Sequence, residues 1–221
     1  MPGKNIRILG GEPLINYSLN YARLLADDKD ICISTDSEEI GEVVSGSGYN
    51  LPFYRPETLS GDNAGMYEVI LHALEIYEKK NGRYDAVMLL QPTSPFRKKE
   101  FAADTLGLFD AETDMVVGVK ESKVNPYFNL FEENKSGFLE ISKNRSGIIR
   151  RQDAPKAYQY NGSLYLLNPN SLRQYSSFTE FKRVVKYLMA DYFSIDIDNE
   201  MDWNIAEYLL NNCLVSVDGK Y

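Results

Sequence analysis

Two carboxylates near the carboxyl end set out the chemistry open to this chain. Ser194-Ile195-Asp196-Ile197-Asp198 alternates apolar and acidic residues, the period of a half-buried strand. Ile195 and Ile197 then face a core, and Asp196 and Asp198 share the other face, roughly 6.5–7 Å apart along the strand. Two carboxylates so placed can hold one hard divalent ion, and Mg2+ bound by one or two carboxylates plus substrate phosphates is a common arrangement. The plainer alternative is a solvated strand face with two acids on it, and the pair alone does not decide between them.

Positive charge is concentrated elsewhere. Lys143, Arg145, Arg150, Arg151 and Lys156 fall within fourteen residues, with Asp153 the one acid among them. Against a formal net charge of -8, this cluster is either a solvated basic loop or a local anion site. The acidic balance itself argues against nucleic acid or a membrane surface as the main partner. Three polar segments stand at the ends of apolar runs: Ser34-Thr35-Asp36, Gln91-Pro92-Thr93-Ser94-Pro95, and Asn199-Glu200. Open α/β sheets bind ligands outside the carboxyl ends of their strands. The two prolines stiffen the second segment, which can aim the Gln91 amide at a ligand or serve as a plain connection. His72, the only histidine, falls away from its helix's apolar stripe, and no chemical role is expected of it.

The elements that must position these groups alternate between helical and strand periods. Pro13 to Ala26 reads as a helix, Ile31–Ser34 as a short strand, and Thr35-Asp36-Ser37-Glu38 as a capping box opening a helix toward Val44. Met66, Val69, Ile70, Ala73, Leu74 and Tyr77 form an apolar helical stripe. Ala86–Leu90 is a continuous apolar run suited to a strand covered on both faces. Glu100–Asp110 reads as helix, Met115–Val119 and Leu164–Leu167 as strands, and Trp203, Ala206, Leu209 and Leu210 mark a last helix. This order predicts an α/β fold with a mostly parallel sheet flanked by helices. Lys120 to Tyr158 is polar and turn-rich and reads as an inserted arm. The 221 residues fit a single domain, 1–221, with the arm at about 120–158. No apolar run reaches the ~20 residues of a membrane span, the first residues lack a signal-peptide core, and two distant cysteines suggest neither disulfide framework nor metal cluster. A cytoplasmic protein is the expectation.

Nine segments in order carry a family resemblance: Pro2-Gly3-Lys4-Asn5-Ile6, Gly11-Glu12-Pro13-Leu14-Ile15, Ser34-Thr35-Asp36, Arg55-Pro56-Glu57, Leu71-His72-Ala73-Leu74, Leu89 to Pro95, Arg151-Gln152, Asn161-Gly162-Ser163-Leu164-Tyr165, and Ser194 to Asp198. In these the chain resembles the acylneuraminate cytidylyltransferases, which activate nonulosonic acids. The resemblance implies a Rossmann-like nucleotidyltransferase fold and a reaction in which CTP and a nonulosonic (sialic-type) sugar acid give CMP-sugar and pyrophosphate. It implies Mg2+ on Asp196 and Asp198, with Asp196, Arg151 and Gln91 at the reaction. Lys4 and Asn5 would meet the triphosphate, Arg55 the cytosine, Gln91 the sugar, and Arg151 with Gln152 the sugar carboxylate or a phosphate. It also implies a homodimer joined by the arm, which would carry the basic cluster toward the neighbouring subunit's sugar site. A Kdo-type or other sugar nucleotidyltransferase, and a catalytically inactive nucleotide-binding dimer scaffold, are the alternatives.

Two departures bear on activity. Family members carry an apolar strand and a Gly-Ser-Lys-Gly loop ahead of the Pro-Gly-Lys-Asn segment, whereas this chain opens on Met1-Pro2. The expectation is weak or absent turnover. Gly65-Met66 stands where sialate-type members often have two serines, and Gln159 where some have arginine, so the identity of the sugar acid stays open.

Overall fold

The structure is a computed structural model that describes residues 1–61, 65–143 and 147–215; Arg145 of the basic cluster lies outside these. A short ribbon of β1 (Ile8–Leu9) and β2 (Glu12–Pro13) leads into α1 (Leu14–Arg23). Then come α2 (Glu38–Gly46), α3 (Met66–Asn81), β3 (Val87–Leu89), α4 (Lys99–Gly107) and β4 (Met115–Glu121). The arm holds a hairpin of β5 (Phe131–Glu133) and β6 (Leu139–Ile141). After it follow β7 (Tyr158–Leu167), α5 (Pro169–Gln174), β8 (Val184–Leu188) and α6 (Glu200–Asn211).

The main sheet runs β3-β7-β4-β8 and is mixed. Strand β7 is antiparallel to both β3 and β4, while β4 and β8 are parallel. Strands β3, β4 and β8 therefore share one direction, and β7 alone is reversed. The mostly parallel sheet expected from the α/β alternation is corrected in this one strand. The physical reason lies in the arm: a long excursion between β4 and β7 returns the chain beside β4 without a crossover helix, and parallel pairing needs such a crossover. A second correction concerns Val87–Leu89. This most apolar run sits at an edge of the four-stranded sheet and is half-buried, not covered on both faces.

Helices cover the sheet through amphipathic faces. Tyr67, Ile70 and Leu74 of α3 pack with Met115, Val117, Val119, Tyr165 and Leu167 from β4 and β7, and with Leu172 and Phe181. Trp203 and Ala206 of α6 close a second cluster with Leu9, Leu14, Phe96 and Ile197. Ile15, Leu19, Ile33, Val44 and Tyr49 make the third. Ile31–Ser34 is extended, but its end touches sheet geometry only through a single Thr35–Tyr54 bridge. The capping box expected at Thr35–Glu38 is also displaced. Ser37 caps α2 by accepting from the Ile40 amide, and Thr35 Oγ1 accepts from the Ser37 amide.

Candidate active site

The site forms where β7 is broken. Val117 of β4 faces Tyr165 and Val119 faces Tyr160, so the residues between 160 and 165 outnumber the single residue opposite them. A bulge of this kind bends the strand and re-aims its residues. Gly162, at its centre, has φ +72°, a conformation open to glycine at little cost. A methyl group built on Gly162 would lie 2.6 Å from Gln91 Oε1, 2.7 Å from Ser94 Oγ and 3.5 Å from Asp196 Oδ2. The Gln91 amide, the Ser94 hydroxyl and the Asp196 carboxylate thus converge on one point, which only a residue without a side chain leaves open.

Buried hydrogen bonds hold that convergence. Asn161 is 2% exposed; its Nδ2 donates to Ser194 Oγ at 3.0 Å, and its Oδ1 accepts from the Ser163 amide at 3.1 Å. Ser94 Oγ donates to the Asn161 carbonyl at 3.0 Å. The bulge is therefore tied on one side to the Gln91–Pro95 turn and on the other to the head of the acidic segment. Tyr165 lies nearby, and burial first, then the charge of Asp196, pushes its phenol up.

Ser194–Asp198 has no regular secondary structure and is not the strand that its alternation predicts. One backbone bond, from the Ile197 amide to the Thr93 carbonyl at 2.9 Å, joins it to the proline-rich turn. The alternation still holds in burial: Ile197 is fully buried against Trp203, and Asp196 and Asp198 are exposed. Helix α6 fixes the far end. Asn199 caps it by accepting from the Met201 and Asp202 amides, and Asp202 reaches back to accept from the Asn199 and Asp198 amides. This capping box, unseen in the sequence reading, sets the backbone of Asp198.

The remaining predicted residues divide into three places. Lys4 Nζ reaches Asp198 Oδ1 and the Ile197 carbonyl, both at 2.9 Å, so the amino-terminal motif meets the acidic segment across the whole chain. Such an exposed ion pair contributes little stability, and a phosphate can take over the ammonium. Asn5 leaves a buried acceptor, its Oδ1, without a hydrogen-bond partner among the described residues. Arg55 lies elsewhere, beside the isolated Thr35–Tyr54 bridge: its Nη2 pairs with Asp36 Oδ1 at 2.6 Å, and its amide donates to the Thr35 carbonyl at 2.7 Å. Arg151 and Gln152 are exposed in a short 3-10 turn at the foot of the arm. There Arg151 Nη2 donates to the Lys123 carbonyl at 2.6 Å. The fold thus brings together Gln91, Asp196, Asp198 and Lys4, and places Arg55 and the Arg151 turn in separate contact groups.

Sequence reasoning passed over Arg97, Asn161, Gly162 and Met66 as individual site residues. Met66 Sδ lies 3.7 Å from Gln91 Nε2, so the position that departs from the serine pattern touches the predicted sugar-contacting amide. The signal for Asn161 and Gly162 was present in the Asn-Gly-Ser-Leu-Tyr segment. For Arg97 there was none, since arginine is mostly exposed.

Two exposed carboxylates, one of them paired with Lys4, have the oxygen chemistry of a Mg2+ site whose remaining positions would be filled by other oxygens. Among the described residues no cluster of three or more His, Cys, Asp or Glu could hold a metal ion by itself.

The mixed sheet with its bulged strand, flanked by helices, has an α/β nucleotidyltransferase fold. A CMP:2-keto-3-deoxy-manno-octonic acid synthetase solved with CTP superposes with a TM-score of 0.67, covering 96% of this chain and 93% of that one at 14% identity, a likeness of fold. The chain belongs to the cytidylyltransferase family, whose model matches residues 1–189. It is 30% identical over 220 residues to a CMP-N,N'-diacetyllegionaminic acid synthase of Legionella pneumophila, spanning 95% of this chain and 90% of that protein. It is 32% identical over 207 residues to an N-acylneuraminate cytidylyltransferase of Streptococcus agalactiae, spanning 92% of this chain and 48% of that longer protein.

Proposed function

We propose that this chain transfers CMP from CTP to the anomeric hydroxyl of a nonulosonic sugar acid, releasing pyrophosphate, as a single nucleotidyltransferase domain over residues 1–221 acting in the cytoplasm. The observation that carries the reading is the meeting of Gln91 and Asp196 at Gly162, with Lys4 on Asp198 beside them. It sets a neutral amide for a sugar, two acids and a cation within one short stretch of surface. The relatives' names supply the nucleotide and the class of acid.

Each residue has a role set by its chemistry. Asp196 and Asp198 would hold Mg2+, which when bound neutralises triphosphate charge and lowers the pKa of the attacking hydroxyl. Lys4 exchanges Asp198 for phosphate oxygens, and Asn5 offers an amide beside it. Arg55, held by Asp36, stands for the cytosine base. Gln91 orients the sugar, so that its hydroxyl oxygen faces the α-phosphorus and pyrophosphate leaves in line. Displacement at phosphorus rests on positioning and charge neutralisation, and this set supplies both. Arg151 and Gln152 serve the sugar carboxylate from the foot of the arm, with the chain as a homodimer.

The test separates binding from rate. Calorimetry with Mg2+ present should show CTP binding and, with CTP analogue bound, binding of N,N'-diacetyllegionaminic or N-acetylneuraminic acid. Asp196→Asn and Asp198→Asn should weaken the Mg2+ dependence of CTP binding at least tenfold. Binding of neither sugar acid, or CTP binding indifferent to Mg2+ and to both substitutions, contradicts the reading.

A further inference from the structure

Arg97 is among the most deeply buried side chains of the protein, with 0% of its surface exposed. Its guanidinium spends its donors on three neutral oxygens: Nε to the Ser163 carbonyl at 2.8 Å, Nη1 to Ser18 Oγ at 3.0 Å, and Nη2 to the Gln91 carbonyl at 2.7 Å. The Tyr21 ring lies 5.8 Å from its centre. No carboxylate compensates it among the described residues, and burial pushes the group down to about 9, still protonated at neutral pH. Burying a cation without a counter-ion is costly. An apolar side chain would fill the same space without that cost, so the volume alone does not account for an arginine.

Its three acceptors explain the choice. Ser18 belongs to α1, Gln91 opens the proline-rich turn, and Ser163 follows Gly162 in the β7 bulge. No neutral side chain presents rigid donors in three directions at once; the planar fork of arginine does. The residues on the other side of those two carbonyls are the Gln91 amide and Gly162, which meet in front of Asp196. Arg97 therefore sits behind the wall whose front is the site.

We propose that Arg97 is a positioning residue for the sugar acid: by gripping the Gln91 and Ser163 carbonyls together, it fixes the spacing between the Gln91 amide and Asp196 across Gly162. It touches no substrate and acts through Gln91. The inference rests on the reading of Gln91 as the sugar contact, and it predicts that Arg97 governs sugar binding and leaves nucleotide binding alone. Arg55 and Lys4, assigned to the nucleotide, bond elsewhere: Arg55 to Ser60 Oγ and Asp36, Lys4 to Asp198 and the Ile197 carbonyl.

Arg97→Lys keeps the charge but cannot span the three acceptors. In calorimetry with N,N'-diacetyllegionaminic acid as the probe, Arg97→Lys should raise Kd about tenfold and shift the CTP Kd less than twofold. Gln91→Ala should give the same split, and the double variant Arg97→Lys/Gln91→Ala should be no weaker than Gln91→Ala, because one residue acts through the other. Hydrogen exchange measured on the same proteins needs no ligand: amides of 91–95 and 161–163 should exchange at least tenfold faster in Arg97→Lys, with those of α6 unchanged. Equal loss of CTP and sugar binding, an additive double variant, or exchange unchanged at those two segments overturns the inference. If the wild-type chain binds no sugar acid, the reading of the function fails, and the exchange result alone decides whether Arg97 clamps the two segments. Should Arg97→Lys fail to fold, Arg97→Gln, which keeps a shorter donor but cannot span all three acceptors, must show the same local exchange pattern at both 91–95 and 161–163; a change confined to 91–95, as Ser18→Ala would give by losing its own bond to the Gln91 carbonyl, overturns the clamp.

Discussion

At Gly162 the requirements of backbone and chemistry coincide. Its positive φ disfavours any side chain, and a Cβ there would meet Gln91 Oε1 at 2.6 Å and Ser94 Oγ at 2.7 Å, so those groups would have to move. Gly162→Ala carries backbone strain of about 1–2 kcal/mol and pushes the Gln91 amide away from Asp196. Sugar-acid affinity should fall at least tenfold while CTP affinity holds, read by calorimetry; unchanged sugar binding would show that the convergence is not the sugar subsite. Gln91 and Asp196 were legible in the sequence because their types and neighbours, a proline-stiffened turn and an alternating acidic run, advertise chemistry. Arg97 and Asn161 were not, because a lone arginine or asparagine reads as surface until the fold buries it. The alternation at Ser194–Asp198 gave the right faces for the wrong element: Ile197 is buried and both acids are exposed, yet one bond to Thr93 replaces a strand's ladder.

Between elements, the site depends on how α6 and β8 are pinned. The Asn199–Asp202 box holds the first turn of α6 and the Asp198 amide together. Asn199→Ala should cost about 1 kcal/mol, seen as a lower Tm, and should loosen Asp198 enough to weaken Mg2+-dependent CTP binding; a Tm loss without that second effect separates the cap from the site. Asp114 does a comparable task for β8 and α5. Burial alone would raise its carboxyl, but bonds from the Ser171 hydroxyl and the Arg183 and Lys182 amides outweigh it and hold the group below its ordinary value. A carboxyl lowered on folding stabilises above its unfolded pKa of about 3.9 and loses that contribution as pH falls through the folded value. Asp114→Ala should therefore lower stability by about 2–3 kcal/mol at pH 7 and flatten the pH dependence of unfolding below about pH 4. An unaltered acid limb in denaturant titrations would contradict this. Helices α1, α3 and α6 and strand β4 were legible from apolar period. The direction of β7 was not, since strand periodicity carries no sense of direction, and β8 escaped notice because Lys186 and its exposed neighbours break the apolar run.

Across the whole molecule, charge and apolar surface are unevenly placed. No helix among the described residues is long and apolar enough to cross a membrane. The arm nevertheless presents Phe138, Leu139 and Ile149 at 70%, 71% and 83% exposure, apolar surface that a second copy could cover. This supports the proposed homodimer. Sedimentation should show a dimer that Phe138→Glu/Ile149→Glu converts to monomer without a change in far-ultraviolet circular dichroism; a wild-type monomer would leave the arm with no such task. The dimer would also bring the arm's Arg151 turn, whose guanidinium bonds to the Lys123 carbonyl within one chain, to a sugar site. Product identity decides the proposed reaction and does not depend on how fast the chain turns over. After prolonged incubation of the protein with CTP, Mg2+ and N,N'-diacetyllegionaminic acid, 31P NMR should show a CMP phosphodiester and pyrophosphate in equal amounts, with both absent for Asp196→Asn. Pyrophosphate formed without the sugar acid, or the same products from Asp196→Asn, would contradict it.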